Sequence, residues 1–267
     1  MKKLVLALSA VAAFTGSALA ADLPARTYSK APMMAPVYNW TGFYIFGGVG
    51  GGLWDADTRV VNHTTGAGLL PLNQKQGGDG WYGTVGAGYD WQFSGSWVAG
   101  IFADGQFGSI KGTIQDQDPF LAGSEKLKTS WAAGVRLGYL VAPNVLSYVN
   151  GGYSGSNWSG TTLLDTRTGA ATGVHTNSFD RNGWFIGGGV ENSLNIFGVA
   201  APGWFMKTEY RAAYYDTKNI TELLDGTNTP FAAGVGGRDI TFKPLVQTIS
   251  TSLVYRFNWG GPVVAKY

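Results

Sequence analysis

Apolar and polar residues alternate along most of the chain, and this alternation predicts β-strands. In residues 81 to 93, WYGTVGAGYDWQF, every odd position is apolar or glycine, whereas the even positions include Tyr82, Thr84, Asp90 and Gln92. A period of two places the two sets on opposite faces of one strand. The strand therefore has one oily face and one face of small or polar residues.

Eight such segments follow one another, at about residues 42–54, 80–93, 97–108, 128–140, 146–155, 182–194, 203–215 and 246–257. Each has the roughly 9 to 13 residues that a tilted strand needs to cross a bilayer. Long connections alternate with short ones such as Ser94-Gly95-Ser96, which is typical of an outer-membrane barrel with tight periplasmic turns. The sequence predicts an all-β fold, an eight-stranded antiparallel up-and-down transmembrane β-barrel.

The composition of the minor face favours a membrane barrel over a soluble lipocalin-like one, which alternation alone does not exclude. The fourth segment presents Ser130, Ala132, Gly134, Arg136 and Gly138 on that face. Small residues suit a narrow lumen, whereas a solvated face is normally rich in Lys, Glu and Thr. The apolar face is expected to meet lipid, with an interfacial aromatic girdle formed by Trp81 at one end and Trp91, Phe93 and Trp97 at the other.

Ionisable residues on the predicted inner face balance in number. They are Asp90, Asp104, Glu191 and Glu209 against Arg136, Lys207, Arg211 and Arg256. Counting from the strand ends places Asp90, Arg136, Glu191 and Lys207 in one layer. Since an eight-stranded barrel is only wide enough for side chains to fill, we expect this network to plug the lumen. A narrow gated channel is the alternative, because charged interiors also mark ion paths.

The N-terminal residues predict export. Residues 1–20 combine Lys2 and Lys3, an apolar run and the processing site Ala18-Leu19-Ala20, as a cleaved secretory signal peptide does. Residues 21–39 are proline-rich and are expected to form a periplasmic segment, and residues 40–267 the barrel with long external loops. Without Lys2 and Lys3 the 17 remaining bases equal the 17 acids, so no nucleic-acid partner is expected. The expected location is the bacterial outer membrane, reached through the periplasm.

Four stretches resemble a known family: WTGFYIFGGVGGG at 40 to 52, GWFIGGGVE at 183 to 191, KTEYRAAYYD at 207 to 216 and LVYRFNWGGPVVAKY at 253 to 267. They are similar to the small outer-membrane proteins of alpha-proteobacteria, the porin-family or outer-membrane immunogenic proteins, which are OmpA-like eight-stranded barrels of the Gram-negative envelope. The resemblance implies a structural, porin-like surface barrel and surface antigen. It also implies an assembly signal at Leu253, Tyr255 and Phe257, although here the chain continues past Phe257.

The resemblance and the predicted location together imply the partners. These are outer-membrane lipid and lipopolysaccharide, the barrel-assembly machinery, and host or envelope ligands at the external loops. A second alternative, a loop-mediated receptor for haem or another ligand, would use His63 or His175 as an iron ligand. In that alternative, Phe120, Trp158, Phe179 and Phe231 would stack on the flat ring.

Catalytic and metal chemistry find little support in the sequence. His63 and His175 lie in different predicted loops, and the spacing of His175 and Ser178 fixes no geometry on a loop. The stretch GYSGS at 152 to 156 lacks the last glycine of a nucleophile elbow. Cysteine is absent, so thiolate zinc sites are excluded. We expect no enzyme activity, no metal site and no cofactor.

Overall fold

A computed structural model describes residues 38–70, 73–116, 120–196 and 199–257. The predicted signal peptide (1–20), residues 21–37 of the proline-rich segment and residues 258–267 lie outside the described residues. The strands are β1 (Gly42–Asn62), β2 (Gln74–Phe93), β3 (Trp97–Asp116), β4 (Leu121–Ala142), β5 (Val145–Trp158), β6 (Thr161–Asp165), β7 (Ala171–Thr176), β8 (Phe179–Ile196), β9 (Val199–Tyr215), β10 (Lys218–Thr221), β11 (Leu223–Leu224) and β12 (Arg238–Arg256).

Eight of these strands close into a ring. Strands β1, β2, β3, β4, β5, β8, β9 and β12 pair antiparallel in that order, and β12 returns to pair with β1 from Tyr44↔Arg256 to Asn62↔Arg238. A closed ring satisfies the backbone N–H and C=O groups of every strand, as hydrocarbon requires. The prediction of an eight-stranded antiparallel barrel is confirmed.

Tight turns join the strands at one end, which we call the tight-turn end. Ser94 and Gly95 adopt positive φ angles of 48° and 74° in the three-residue turn between β2 and β3. The β4–β5 connection contains two residues, 143 and 144. The predicted segments 182–194 and 203–215 leave an eight-residue connection between β8 and β9. This prediction is wrong, because the ladder continues to Ile196↔Val199.

At the other end, the outer end, the strands extend well beyond the predicted segments. β1 reaches Asn62 rather than residue 54, β3 reaches Asp116 rather than 108, and β12 begins at Arg238 rather than 246. The connections at this end are therefore shorter than the predicted segment bounds imply, for a physical reason. The outward apolar positions stop where lipid stops, but the hydrogen-bonded ladder and the inward apolar positions continue.

Short elements cover the outer end. β6 and β7 form a hairpin that pairs with β4 and β11, and β10 pairs with β12. A 3₁₀ turn at Ala233–Val235 lies in the glycine-rich stretch between β11 and β12. None of the helical segments in the described part of the chain is long and apolar enough to cross a membrane.

The outside of the ring carries a belt of exposed apolar side chains. Val85, for instance, is 56% exposed in mid-strand. The first segment, whose faces the sequence left ambiguous, exposes Phe43 and Ile45 and buries Tyr44 and Phe46. Further exposed members include Val49, Trp81, Trp91, Ile101, Trp131, Val135, Val149, Trp184, Ile186, Ile249 and Leu253. Large exposed apolar areas mark a surface that meets something other than water, here lipid.

Inside the ring, aromatic side chains lie against glycines of neighbouring strands. An added Cβ at Gly50 would lie 2.7 Å from the Tyr82 hydroxyl and 2.5 Å from the carbonyl oxygen of Ile249. Added at Gly134, it would lie 2.9 Å from the ring of Phe185. The inward glycines therefore make room for flat rings in a narrow barrel.

Neighbouring glycines on opposite faces of β1 provide a test. We expect Gly50→Ala to lower the free energy of unfolding by about 1–3 kcal/mol, because the added methyl group overpacks the lumen. Gly51→Ala is the matched control, since its Cβ meets no atom closer than 3.8 Å; its effect should stay within about 0.5 kcal/mol. Urea titration of the refolded barrels in detergent measures both. Equal effects at the two positions would contradict the assignment of the faces.

Candidate functional site

The structure places all eight ionisable residues predicted for the lumen inside the ring. Each is at most 6% exposed: Asp90, Asp104, Arg136, Glu191, Lys207, Glu209, Arg211 and Arg256. These are four acids and four bases, so the formal charges of the eight side chains sum to zero. The eight side chains form two layers, and acids contact bases within each layer.

The first layer lies near the tight-turn end and alternates two acids with two arginines. Arg136 binds Asp90 through Nε and Nη2, the Nε–Oδ1 distance being 2.9 Å, and its Nη1 lies 3.1 Å from Glu191 Oε2. Arg256 donates to the same two acids, from Nη1 to Asp90 Oδ2 at 2.8 Å and from Nε to Glu191 Oε1 at 2.7 Å. Each guanidinium thus bridges both carboxylates. The planar guanidinium of arginine has donors in several directions for this geometry, whereas the ammonium of lysine is a point charge.

Arg256 completes this layer, where the sequence predicted Lys207. Lys207 Nζ lies 3.7 Å from Glu209 and 3.3 Å from the centroid of the Phe46 ring. Lys207 is opposite Glu191 in the register of β8 and β9, but its ammonium group lies against Glu209 and Phe46, and Arg256 contacts the two acids of the layer instead.

Arg211 is the centre of the second layer. Its Nη1 and Nη2 donate to the two oxygens of Asp104 at 3.0 and 2.7 Å, and Nη2 also donates to Glu209 at 2.7 Å. The hydroxyl of Tyr148 donates to Glu209 at 2.8 Å, and Lys207 approaches the same carboxylate. Such bidentate pairs are strong and directional, and buried pairs keep their geometry only when their remaining hydrogen-bonding positions are also occupied.

Aromatic side chains close the lumen at both ends of the charged layers. At the tight-turn end, Trp40 packs 5.0 Å from Phe205, and the guanidinium of Arg256 stacks 4.5 Å from the Trp40 ring. Toward the outer end, Trp54, Trp158, Phe179 and Phe242 form what we call the aromatic plug, with ring centroids 5.1 to 6.2 Å apart. Sequence reasoning missed the plug, although Trp54 shares the even parity of the inward residues Tyr44 and Phe46.

The plug overturns part of the predicted haem platform. Trp158 is fully buried and Phe179 is 7% exposed, so neither presents a ring face to an external ligand. Phe231 is partly buried against the core. Phe120 is exposed, and the Arg167 guanidinium lies 4.5 Å from its ring. Trp158 and Phe179 lie inside because their strands extend beyond the membrane and keep their inward parity.

Free space beside the second layer is small. A cavity of about 10 Å³ is lined by Ser154, Arg211, Tyr215, Thr248 and their neighbours. Ser154 shares a hydrogen bond of 2.9 Å with the Tyr215 hydroxyl across this space. A cavity of this size holds about one water molecule.

A third polar layer lies beyond the plug, outside the membrane-spanning segments. Arg238 binds Asp116 Oδ2 through Nε at 2.9 Å, and its Nε lies 3.9 Å from Glu222 Oε2. Burial, followed by the nearby Asp116 charge, raises the pKa of Glu222 to about 8. Glu125, in the same outer part of the barrel, also has a pKa raised to about 8 by burial.

Both histidines are bound to aspartates at the outer end. His63 Nδ1 lies 2.8 Å from Asp239, and His175 Nδ1 lies 2.6 Å from Asp225. His63 lines an open cleft of about 360 Å³ together with Ser178 and residues of β10 and β11. Within the described residues, neither imidazole is hydrogen-bonded to a serine or threonine hydroxyl, and no group of three or more metal-ligating side chains comes together.

The predicted girdle and assembly residues lie on the outside of the ring. Trp81 is 79% exposed near the outer end, and Trp91, Phe93 and Trp97 are exposed at the tight-turn end. Leu253, Tyr255 and Phe257 occupy alternate positions at the end of β12, with the Tyr255 and Phe257 rings 4.9 Å apart. Their role in assembly stays a prediction.

Comparisons with known proteins identify relatives of this chain and a solved structure with a similar fold. The chain is 32% identical over 236 residues to the 31 kDa outer-membrane immunogenic proteins of Brucella melitensis biotype 1 and Brucella suis biovar 1, a match that covers 84% of this chain and 91% of each relative. No family model matches the sequence. Among solved structures, the outer membrane protein OprG of Pseudomonas aeruginosa is similar in fold, with a TM-score of 0.51, 12% identity and coverage of 82% of this chain and 98% of that one.

The first charged layer yields a prediction about stability. Arg136→Met leaves two carboxylates to share Arg256, and we expect it to cost about 3–5 kcal/mol. Adding Glu191→Gln restores charge balance, so the double variant should be more stable than the sum of the single effects by about 1–3 kcal/mol. Lys75→Met, at an exposed pair with Asp55, is the control and should cost less than about 1 kcal/mol. Urea titration of five proteins measures this: the wild type, Arg136→Met, Glu191→Gln, their double variant and Lys75→Met. Additive effects of the two lumen substitutions would contradict a coupled layer.

The third polar layer yields a prediction about pH. Because the folded-state pKa of Glu222 lies above its unfolded value, unfolding releases a proton between about pH 4.5 and 8, and stability falls as the pH rises through that window. Glu222→Gln removes this cost. We expect the variant to match the wild type at pH 4 and to exceed it at pH 9, measured as urea midpoints. Asp57→Asn, at an exposed carboxylate on β1, is the control. A gain in Glu222→Gln that is equal at both pH values would contradict the assignment.

Proposed function

The chain belongs to the family of the 31 kDa outer-membrane immunogenic proteins, and from this premise we propose that it acts in the envelope as a sealed structural barrel rather than as a conducting channel. It is an outer-membrane barrel with a surface role, as its relatives and its fold indicate. The sealed lumen is the part of the proposal that goes beyond them.

One observation carries this proposal: the described part of the lumen is closed in series. Trp40 and Phe205 close the tight-turn end, the two charged layers follow, and the aromatic plug lies beyond them. A hydrated ion would have to displace a bidentate arginine pair and also separate packed rings. Each of these steps breaks buried ion pairs or ring contacts, so the described part of the lumen offers no water-filled path.

We also propose that the protein has no catalytic activity. Each imidazole is held by a carboxylate, but a triad needs a nucleophile bound to the imidazole as well, and this third member is missing among the described residues. The ionisable residues of the lumen pair with one another and are closed off from any substrate. Their arrangement suits stability and specificity of the fold.

The outward-facing residues at the end of β12 are suited to contact a partner during barrel assembly. Leu253, Tyr255 and Phe257 project outward from the strand that closes the ring on β1. A strand with one edge still unpaired exposes backbone donors and acceptors to a partner strand. We infer that these residues are recognised by the barrel-assembly machinery before closure.

Conductance measurements test the sealed lumen. Refolded wild-type protein in a planar bilayer should show no stepwise current, because the closures act in series, and Trp158→Ala should stay silent since it loosens only the plug. Folding is verified by the heat-dependent shift of the barrel on a gel, and a known porin in the same bilayer shows that insertion yields detectable steps. Discrete steps from the wild type that disappear in Lys207→Met would contradict the proposal.

A further inference from the structure

Three lysines gather on the outer wall of the barrel, on β3 and β4. Lys111 is paired in register with Lys126, and Lys128 lies two residues further along β4. Their neighbours Ile110 and Leu127 are buried in the lumen, so Lys111 and Lys126 project outward. Lys128 is exposed at a bulge, where the registers with β3 and β5 both shift. We call these three residues the lysine cluster.

The lysine cluster lies just above the lipid-facing belt. The exposed Trp81 is opposite Ser109, two residues from Lys111, and the exposed Trp131 lies three residues beyond Lys128. At about 3.3 Å per residue along a strand, Lys111 is roughly 7 Å from the level of Trp81, and Lys128 is roughly 10 Å from Trp131. Tryptophan marks the membrane–water interface, so this height is that of the lipid headgroups of the outer leaflet.

The cluster carries surplus positive charge. Like charges placed directly opposite each other on a sheet are destabilising, and Lys111 and Lys126 are so placed. Within the described residues, none of the three lysines forms an ion pair. Asp79 is opposite Lys111 on the β2 side, so three positive charges against one negative charge leave a surplus of two.

Two lysines on neighbouring strands, Lys75 on β2 and Lys243 on β12, are by contrast matched by acids. Lys75 Nζ lies 3.5 Å from Asp55, and both Lys75 and Lys243 are opposite Asp57 in the register. The surplus of the lysine cluster therefore lies on the β3–β4 side of the barrel. Hydroxyl groups surround it, because Thr129 is exposed beside Lys128 and Thr113 is opposite Ser124.

We propose that the lysine cluster is a binding site for the phosphate groups of lipopolysaccharide in the outer leaflet. Lysine binds phosphate as a point charge, and neighbouring hydroxyl groups add hydrogen-bond donors. An anion bridging Lys111 and Lys126 relieves the repulsion between them. The height of the cluster, at the headgroups rather than at the tip of the barrel, selects a phosphate carried by a lipid. The site is independent of whether the lumen conducts.

Binding of purified lipid to the refolded barrel tests the proposal. The cluster variant carries Lys111→Gln, Lys126→Gln and Lys128→Gln. The control variant carries Arg59→Gln, Lys75→Gln and Lys243→Gln, which remove the same charge from exposed positions on the matched side. The probes are bis-phosphorylated lipid A and dephosphorylated lipid A in detergent micelles, with inorganic phosphate as the soluble anion, and lipid retained on the affinity-purified barrel is measured together with the unfolding midpoint.

We expect the wild type and the control variant to retain bis-phosphorylated lipid A and to gain thermal stability from it. The cluster variant should bind it about 100-fold more weakly, since each lysine near a charged membrane surface contributes several-fold to affinity. Three results would overturn the proposal: equal loss in the control variant, equal retention of dephosphorylated lipid A by the wild type, or the same stabilisation by inorganic phosphate. A heat-shift gel confirms that every variant is folded.

Discussion

A strand in hydrocarbon has no water to satisfy its backbone, and this one constraint shapes the molecule. Closure of β12 on β1 leaves none of the eight described ring strands with an open edge. Closure with eight strands then fixes a narrow interior, which must be filled by side chains. The inward glycines, the aromatic rings that lie on them and the absence of a wide lumen in the described barrel all follow from that width.

The narrow interior also explains why its charges are matched. An unpaired charge inside a membrane protein is costly. In this barrel two arginines each bridge the same two carboxylates, so the opposite charges compensate one another without water. In the first layer the same four side chains come from β2, β4, β8 and β12. The charges therefore tie together strands that are not neighbours in the ring, which backbone hydrogen bonds do not do.

Much of this architecture could be predicted from the sequence, because lipid and lumen impose opposite chemistry on alternate residues. The alternation from Trp81 to Phe93 identified both faces of β2, and the inward charges followed from parity. The outer extensions could not be read in the same way. Beyond the membrane the outward positions, such as Lys111 and Lys126, become polar, whereas the inward positions stay apolar. The apolar residues therefore change from the outer face to the inner face along one strand, and the sequence does not mark where this change occurs. The place of Arg256 rather than Lys207 in the first layer depends on the direction of the Lys207 side chain, which a linear count does not contain. The aromatic plug joins residues as distant as Trp54 and Phe242, and only the closed ring brings them together.

Arg256 belongs to the last strand of the ring, whereas Trp40, on which it stacks, precedes the first. Until that strand docks, Asp90 and Glu191 share a single guanidinium. A barrel in which β12 has not yet paired thus has one positive charge too few beside these two carboxylates, and pairing of β12 supplies it through Arg256. Pairing of β12 with β1 thus completes the charge balance of the first layer and brings Arg256 onto Trp40 in the same step.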